Sequence, residues 1–184
     1  RHPDPFGGLF FVSIEVSLAE RRQAREACAN GWLASFYEGE DWDGTPKIVR
    51  REAALLFHFH WDQEALSDPF SADYAARLRV DEPGEHQFEL LATGPALVLV
   101  DGEPVIEQTG FESMDTLAGV ATLEAGEHLL VVRHVERSYA SALRFWWRPP
   151  CGRRSLIPLG NLTALSPAEY ESLRDSLPRP ERRP

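Results

Sequence analysis

The chain has 184 residues, 43% apolar and 26% charged, which suits one soluble domain with a full core and short appendages. A net charge of −10 opposes binding to nucleic acid and to anionic membranes. The charge is uneven: residues 1–132 carry 9 Lys/Arg and 24 Asp/Glu, a balance of −15, while residues 133–184 carry 10 and 5, a balance of +5.

The longest apolar runs are only strand length, so none reads as a membrane-spanning helix. Leu9 to Val12 is too short for a secretory leader, and Glu15 follows closely. Met114 is the only methionine, so the sequence reads as a segment of a longer protein. Arg1 to Gly8 is rich in Pro and Gly, and an apolar stretch at Leu9 to Val16 follows. Ser17-Leu18-Ala19-Glu20 has capping-box spacing, which predicts a short helix ending near Asn30-Gly31. Residues 1–30 are therefore expected to form an N-terminal extension.

From Gly31 onward the pattern changes to strands and turns. Leu33 to Tyr37 opens it, and Glu38 to Pro46 is a long polar turn. Phe57, Phe59 and Trp61 alternate with Leu56, His58 and His60, the period of a strand with one apolar face. Tyr74, Ala76, Leu78 and Val80 alternate with Arg77 and Arg79, which predicts an edge or surface strand.

The same turn then occurs twice. Glu82-Pro83-Gly84-Glu85-His86 leads into Phe88, Leu90 and Ala92, and Glu124-Ala125-Gly126-Glu127-His128 leads into Leu129 to Val132. Between them Ala96 to Val100 runs into Asp101-Gly102, followed by Pro104-Val105-Ile106. Gly-bearing turns between short apolar runs are a strong hairpin signal. The last strand sets Leu143, Phe145 and Trp147 opposite Arg144 and Trp146. Strands at this spacing, with no helical period between them, predict an all-β, antiparallel, jelly-roll-like sandwich. Ser166-Pro167-Ala168-Glu169 is a second capping box with Pro at the first helical position, and Tyr170, Leu173 and Leu177 form a stripe predicted to pack on the sandwich. Pro178 ends that helix, and Arg179 to Pro184 is expected to be disordered.

The ordered markers resemble the PA-fourteen domain family, named from a domain of protective antigen. The matching residues are Gly31 to Tyr37 with Gly44-Thr45-Pro46, Phe57 to Trp61, Phe70 to Leu78, the Gly84 turn and Val100 to Ile106. Leu123 to His128 and Leu143 to Trp147 complete the series, so the resemblance covers about residues 31–158. It implies a β-sandwich used mainly for binding, often of glycans at cell surfaces, in proteins outside the cytoplasm. Sugar-binding members hold calcium through two adjacent aspartates on one loop, because a hard cation needs six to eight oxygen ligands. By the resemblance that loop precedes Ala96, where this sequence reads Leu91-Ala92-Thr93-Gly94-Pro95 without a carboxylate. Thr93, Gly94 and Asp101 are the residues nearest the family's ligand loop, and Trp42 is a candidate for stacking on a sugar ring or for covering the end of the sandwich.

The same residues admit rival chemistry. His58-x-His60 followed by Glu64 resembles the first metal motif of cupins, but Glu52 and Ser71 stand where its glycines belong. The plainer reading places the histidines on the outer face of a strand. No nucleophile elbow, phosphate loop or Cys/His zinc pattern occurs, so no catalytic residue, cofactor or metal site is assigned. The carboxylates Glu38, Glu40, Asp41 and Asp43 fit a flexible acidic turn better than a glycosidase pair. Cys28 and Cys151 bracket the strands, and a disulfide is expected if both ends of the module lie together; two unrelated thiols are the alternative. Asn161-Leu162-Thr163 matches a glycosylation sequon.

The sequence thus predicts a non-catalytic binding or accessory module of a larger extracytoplasmic or membrane-anchored protein. Its expected partner is a glycan, bound without calcium, or the remainder of the parent chain, with membrane contact only through that parent. A purely structural or protein–protein module, using the two capped helices and basic tail as its interface, is the alternative.

Overall fold

The computed structural model describes residues 29–58, 69–110, 115–137 and 142–181. Two antiparallel sheets pack face to face, as expected of a sandwich. The strands are β1 (Trp32–Glu38), β2 (Ile48–Glu52), β3 (Leu56–His58), β4 (Phe70–Val80), β5 (Gly84–Ala92) and β6 (Ala96–Val100). They continue with β7 (Glu103–Gln108), β8 (Thr116–Leu123), β9 (Gly126–Glu136), β10 (Ala142–Arg148) and β11 (Leu162–Ala164). A single α-helix, α1 (Pro167–Arg174), follows β11 among the described residues. The first sheet runs β2-β1-β4-β9-β6-β7, with β11 also paired to β4, and the second runs β3-β10-β5-β8.

The two sheets are buried differently, and the sequence pattern follows from that. In the second sheet, β5 and β10 alternate between buried and partly exposed residues. Phe88, Leu90, Phe145 and Trp147 point inward to meet Trp32, Tyr74, Val98 and Val132 of the first sheet. The first sheet is covered on its outer side as well. Leu33, Ala75, Leu97, Leu99 and Val131 form an outer cluster closed by Leu165 and Tyr170, with Leu173 and Leu177 packed against it. This explains why Ala96 to Val100 is an unbroken apolar run: a strand with both faces dry has no reason to alternate.

One expectation is corrected here. Arg77 and Arg79 suggest an edge strand, but β4 is central, paired along its whole length with β9 and on its other side with β1 and then β11. The arginines sit only where the strand leaves the covered area, and Phe70 to Ala76 is buried without interruption. Strand β11 has no counterpart in the sequence pattern, because three residues carry no period.

The capping box at Ser166 forms as read. Ser166 Oγ accepts the Glu169 N–H at 3.2 Å, and Glu169 Oε2 accepts the Ser166 N–H at 2.8 Å. Tyr170, 2% exposed, anchors the helix on the first sheet. The helix and the chain after it are tied down by two arginines. Arg133, 1% exposed, forks onto Asp73 (2.9 and 3.2 Å) and donates to the Leu177 and Pro178 carbonyls (2.9 and 3.0 Å). Arg174 donates to the Gly44 carbonyl at 2.9 Å, fastening the helix to the polar turn after β1.

Candidate functional site

The repeated Glu-x-Gly-Glu-His turns prove to be one local device used twice. In each, the glycine opens the following strand at a φ that side chains avoid, +137° at Gly84 and +145° at Gly126. In each, the imidazole four residues after the first Glu returns to that residue's carbonyl: His86 Nε2 to Glu82 at 3.0 Å, and His128 Nε2 to Glu124 at 2.9 Å. The second ring nitrogens differ. Trp147 Nε1–H donates to His86 Nδ1 at 3.0 Å, so His86 carries its proton on Nε2. His128 Nδ1 meets Asp101 Oδ2 at 2.6 Å, an arrangement that suits a ring protonated on both nitrogens. Partial burial opposes that charge, but the Asp101 hydrogen bond, the Glu124 carbonyl and the nearby carboxylates outweigh it and raise the His128 pKa above 6.5.

Asp101 has a framework role too. Its other oxygen accepts the Leu129 N–H at 2.8 Å. Asp101 and Gly102 both have positive φ (52° and 88°), the type I′ geometry that two-residue hairpins require.

The sequence-predicted ligand residues do not converge on one place. Thr93 and Gly94 precede β6, whereas Asp101 follows it, so the length of that strand, about 16 Å, separates them. Trp42 lies with the first group. It packs with Tyr37 and Val135, and Val135 N–H donates to the Pro95 carbonyl at 2.8 Å. Trp42 is 2% exposed, with the Arg133 guanidinium 4.9 Å from its ring centroid and its backbone N–H donating to Ser71 Oγ. Its φ of +56° is unusual for a bulky residue and is held by those contacts. The ring is packed away on the outer side of the first sheet, beside the chain that follows α1.

The Thr93–Pro95 loop is equally occupied. Thr93 Oγ1 donates to the Ala142 carbonyl and accepts the Ala142 N–H, stitching the end of β5 to β10. The Thr93 carbonyl accepts from His134 Nε2 at 2.8 Å. His134 is fully buried, and that desolvation drives its pKa down to about 4 although the Thr93 bond works the other way. Gly94 has φ +102°, and a Cβ there would stand 2.2 Å from the Val135 carbonyl oxygen. The loop holds no carboxylate, and its Thr93 hydroxyl, Thr93 carbonyl and Pro95 carbonyl already serve the protein. This donor set does not fit the paired-aspartate calcium centre of sugar-binding members.

The cysteines do not pair as expected. Cys151 is a free, exposed thiol, so the predicted bond to Cys28 is not formed. Cys28 itself, the N-terminal helix, and His60 and Glu64 of the cupin-like motif lie outside the described residues; His58 ends β3. Among the described residues no group of three His, Cys, Asp or Glu could hold a metal, and no helix is long and apolar enough to cross a membrane. Asn161 of the sequon donates to the Arg79 carbonyl at 2.9 Å and to Asp81 at 3.0 Å, so its amide is already engaged. It borders a pocket of about 260 Å³ with Asp81, Glu82, His86, Trp147 and Cys151, on the Asp101 side of the sandwich.

Comparison with known proteins agrees with this architecture. No curated protein sequence matches the chain. Among solved structures, it is similar to an anti-sigma factor domain-containing protein (TM-score 0.67, 19% identity, covering 74% of this chain and 48% of that one). It is also similar to a PA14 sugar-binding domain from an RTX adhesin (TM-score 0.64, 14% identity, 74% and 99% covered). A third is an epithelial adhesin A domain from Candida glabrata in complex with Galb1-3GlcNAc (TM-score 0.57, 11% identity, 74% and 88% covered). The chain spans about half the length of the anti-sigma factor domain-containing proteins it resembles. The family model described as PA14 domain matches residues 29–160, most of the sequence, and the chain belongs to the PA14 domain family.

Proposed function

We propose that the chain is a non-catalytic, glycan-binding accessory module of a larger extracytoplasmic protein, working without the calcium pair. The observation that carries this reading is the likeness to the sugar-binding adhesin domain, which this fold covers almost end to end. The ligand is met at the Gly94 end of the sandwich. There Thr93, Gly94 and Trp42 act as a rigid framework, and the exposed turn carrying Asp41 and Asp43 supplies polar contacts. Asp101 is assigned to the hairpin framework and not to the ligand.

A glycan array probed with and without chelator tests the proposal. Binding that persists in chelator is the expected result; binding abolished by chelator refutes the calcium-free mechanism. A second reading, a module that only positions its neighbours, is favoured by the chain's covering about half of the anti-sigma factor domain-containing proteins. Failure to bind any glycan leaves that reading in front. Of the two helices expected to form its interface, α1 packs on its own sheet, and the N-terminal one lies outside the described residues.

A further inference from the structure

The first sheet has its outer face closed by the chain's own helix, whereas among the described residues no helix packs on the outer face of the β3-β10-β5-β8 sheet, and several arginines of the basic stretch 133–184 gather there. Alternation along β10 turns Arg144, Trp146 and Arg148 outward, two residues apart and so roughly 6–7 Å from one to the next. The Arg154 guanidinium lies 3.9 Å from the Trp146 ring centroid. Its Nε is 2.6 Å from one oxygen of Glu89, and Arg148 Nη2 is 3.6 Å from the other. One carboxylate, with 14% of its side chain exposed, therefore lies beneath two arginines whose side chains are 47% and 44% exposed. The two arginines outnumber the carboxylate between them, so the centre of the face carries surplus positive charge on partly exposed side chains.

We propose that this face docks an acidic glycan, a linear saccharide chain bearing carboxylates or sulfates. A planar guanidinium held by stacking keeps its in-plane N–H groups aimed for bidentate capture of such anions. Arg144 and Arg148 stand in a row along β10 with Arg154 on the neighbouring segment beside them, which suits a linear polyanion. A protein partner fits less well, because protein interfaces place apolar groups at the centre and polar groups at the rim. Here Arg148, Arg154 and Glu89 surround Trp146 at the centre, while Leu56 and Val120, 51% and 52% exposed, sit on β3 and β8, the two edge strands. The net charge of −10 does not prevent docking, since charges beyond about 8 Å are largely screened at physiological ionic strength. This site is separate from the Gly94 end, so the two proposals stand or fall independently.

The test is retention on immobilised heparin and on polygalacturonate, in chelator, between about 50 and about 200 mM salt. Retention of either is expected, with log affinity falling linearly in log salt, and which one is retained distinguishes sulfate from carboxylate. Arg148→Glu combined with Arg154→Glu is expected to weaken binding roughly tenfold or more. Arg77→Glu with Arg79→Glu makes the same charge change on the other sheet and is expected to leave it within about twofold. Thermal unfolding of both double variants checks that they fold. No retention of either polyanion at low salt, or equal loss in both variants, overturns the proposal. Polyglutamate bound as tightly as the polysaccharides overturns the choice of a glycan in favour of an acidic protein surface.

Discussion

Gly94 shows how much of this site is decided by single residues. Its φ of +102° and the Val135 carbonyl where a Cβ would go leave glycine as the residue that fits. Gly94→Ala is expected to cost about 3 kcal/mol in chemical denaturation, because strain and clash add. Gly102, at φ +88°, would present an added Cβ to open space with nothing within 4 Å, so it isolates the strain alone. Gly102→Ala should therefore cost only about 1 kcal/mol. Equal losses at the two positions would contradict the clash argument.

The fully buried His134 and the partly buried His128 should give opposite pH signatures. His134 has its folded pKa lowered to about 4 from 6.5, so the unfolded chain takes up its proton first as pH falls. Its contribution is complete above pH 6.5 and is lost progressively down to about 4, by about 3 kcal/mol in all. Replacing it by Gln should flatten the stability profile over that window, and an unchanged slope would show that burial does not hold His134 neutral. His128 runs the other way. Its raised folded pKa gives stability that is full below pH 6.5 and is lost as pH rises through the folded value. Asp101→Asn should return the His128 ring titration, followed by NMR, toward 6.5.

At the scale of elements, α1 functions as the missing outer layer of the first sheet. Tyr170→Ala should cost about 3–4 kcal/mol, as expected for emptying a buried aromatic site. Arg133 beneath the helix is a stricter test, since it serves Asp73 and two carbonyls of the chain after α1. Removing it leaves Asp73 buried without its partner, so Arg133→Ala should cost about 3–5 kcal/mol. Pairing it with Asp73→Ala should recover part of that loss in a double-mutant cycle; strict additivity would mean the two do not interact.

Over the whole molecule, the two ends of the sandwich are expected to behave independently. Asp101→Asn should lower stability near the β6–β7 hairpin while leaving glycan affinity at the Gly94 end unchanged, as a parallel binding and melting assay would show. A matching loss of affinity would restore Asp101 to the ligand site.

The sequence by itself determined the module and most of its joints. Gly-bearing turns, alternation in β5 and β10, and the capping box at Ser166 are local signals, set by φ preference, side-chain period and orphan N–H groups. It also showed that the Leu91–Pro95 loop has no carboxylate. What only the tertiary structure decided is which faces are dry and which residues meet. Arg77 and Arg79 read as an edge because two charged positions outweigh seven buried residues whose partners lie far along the chain. Trp42 reads equally well as a sugar platform or an end cap until Arg133 and Val135 are brought against it. Thr93 and Asp101 stand eight residues apart in sequence and occupy opposite ends of β6, because an extended strand turns short sequence distance into the longest separation the chain allows.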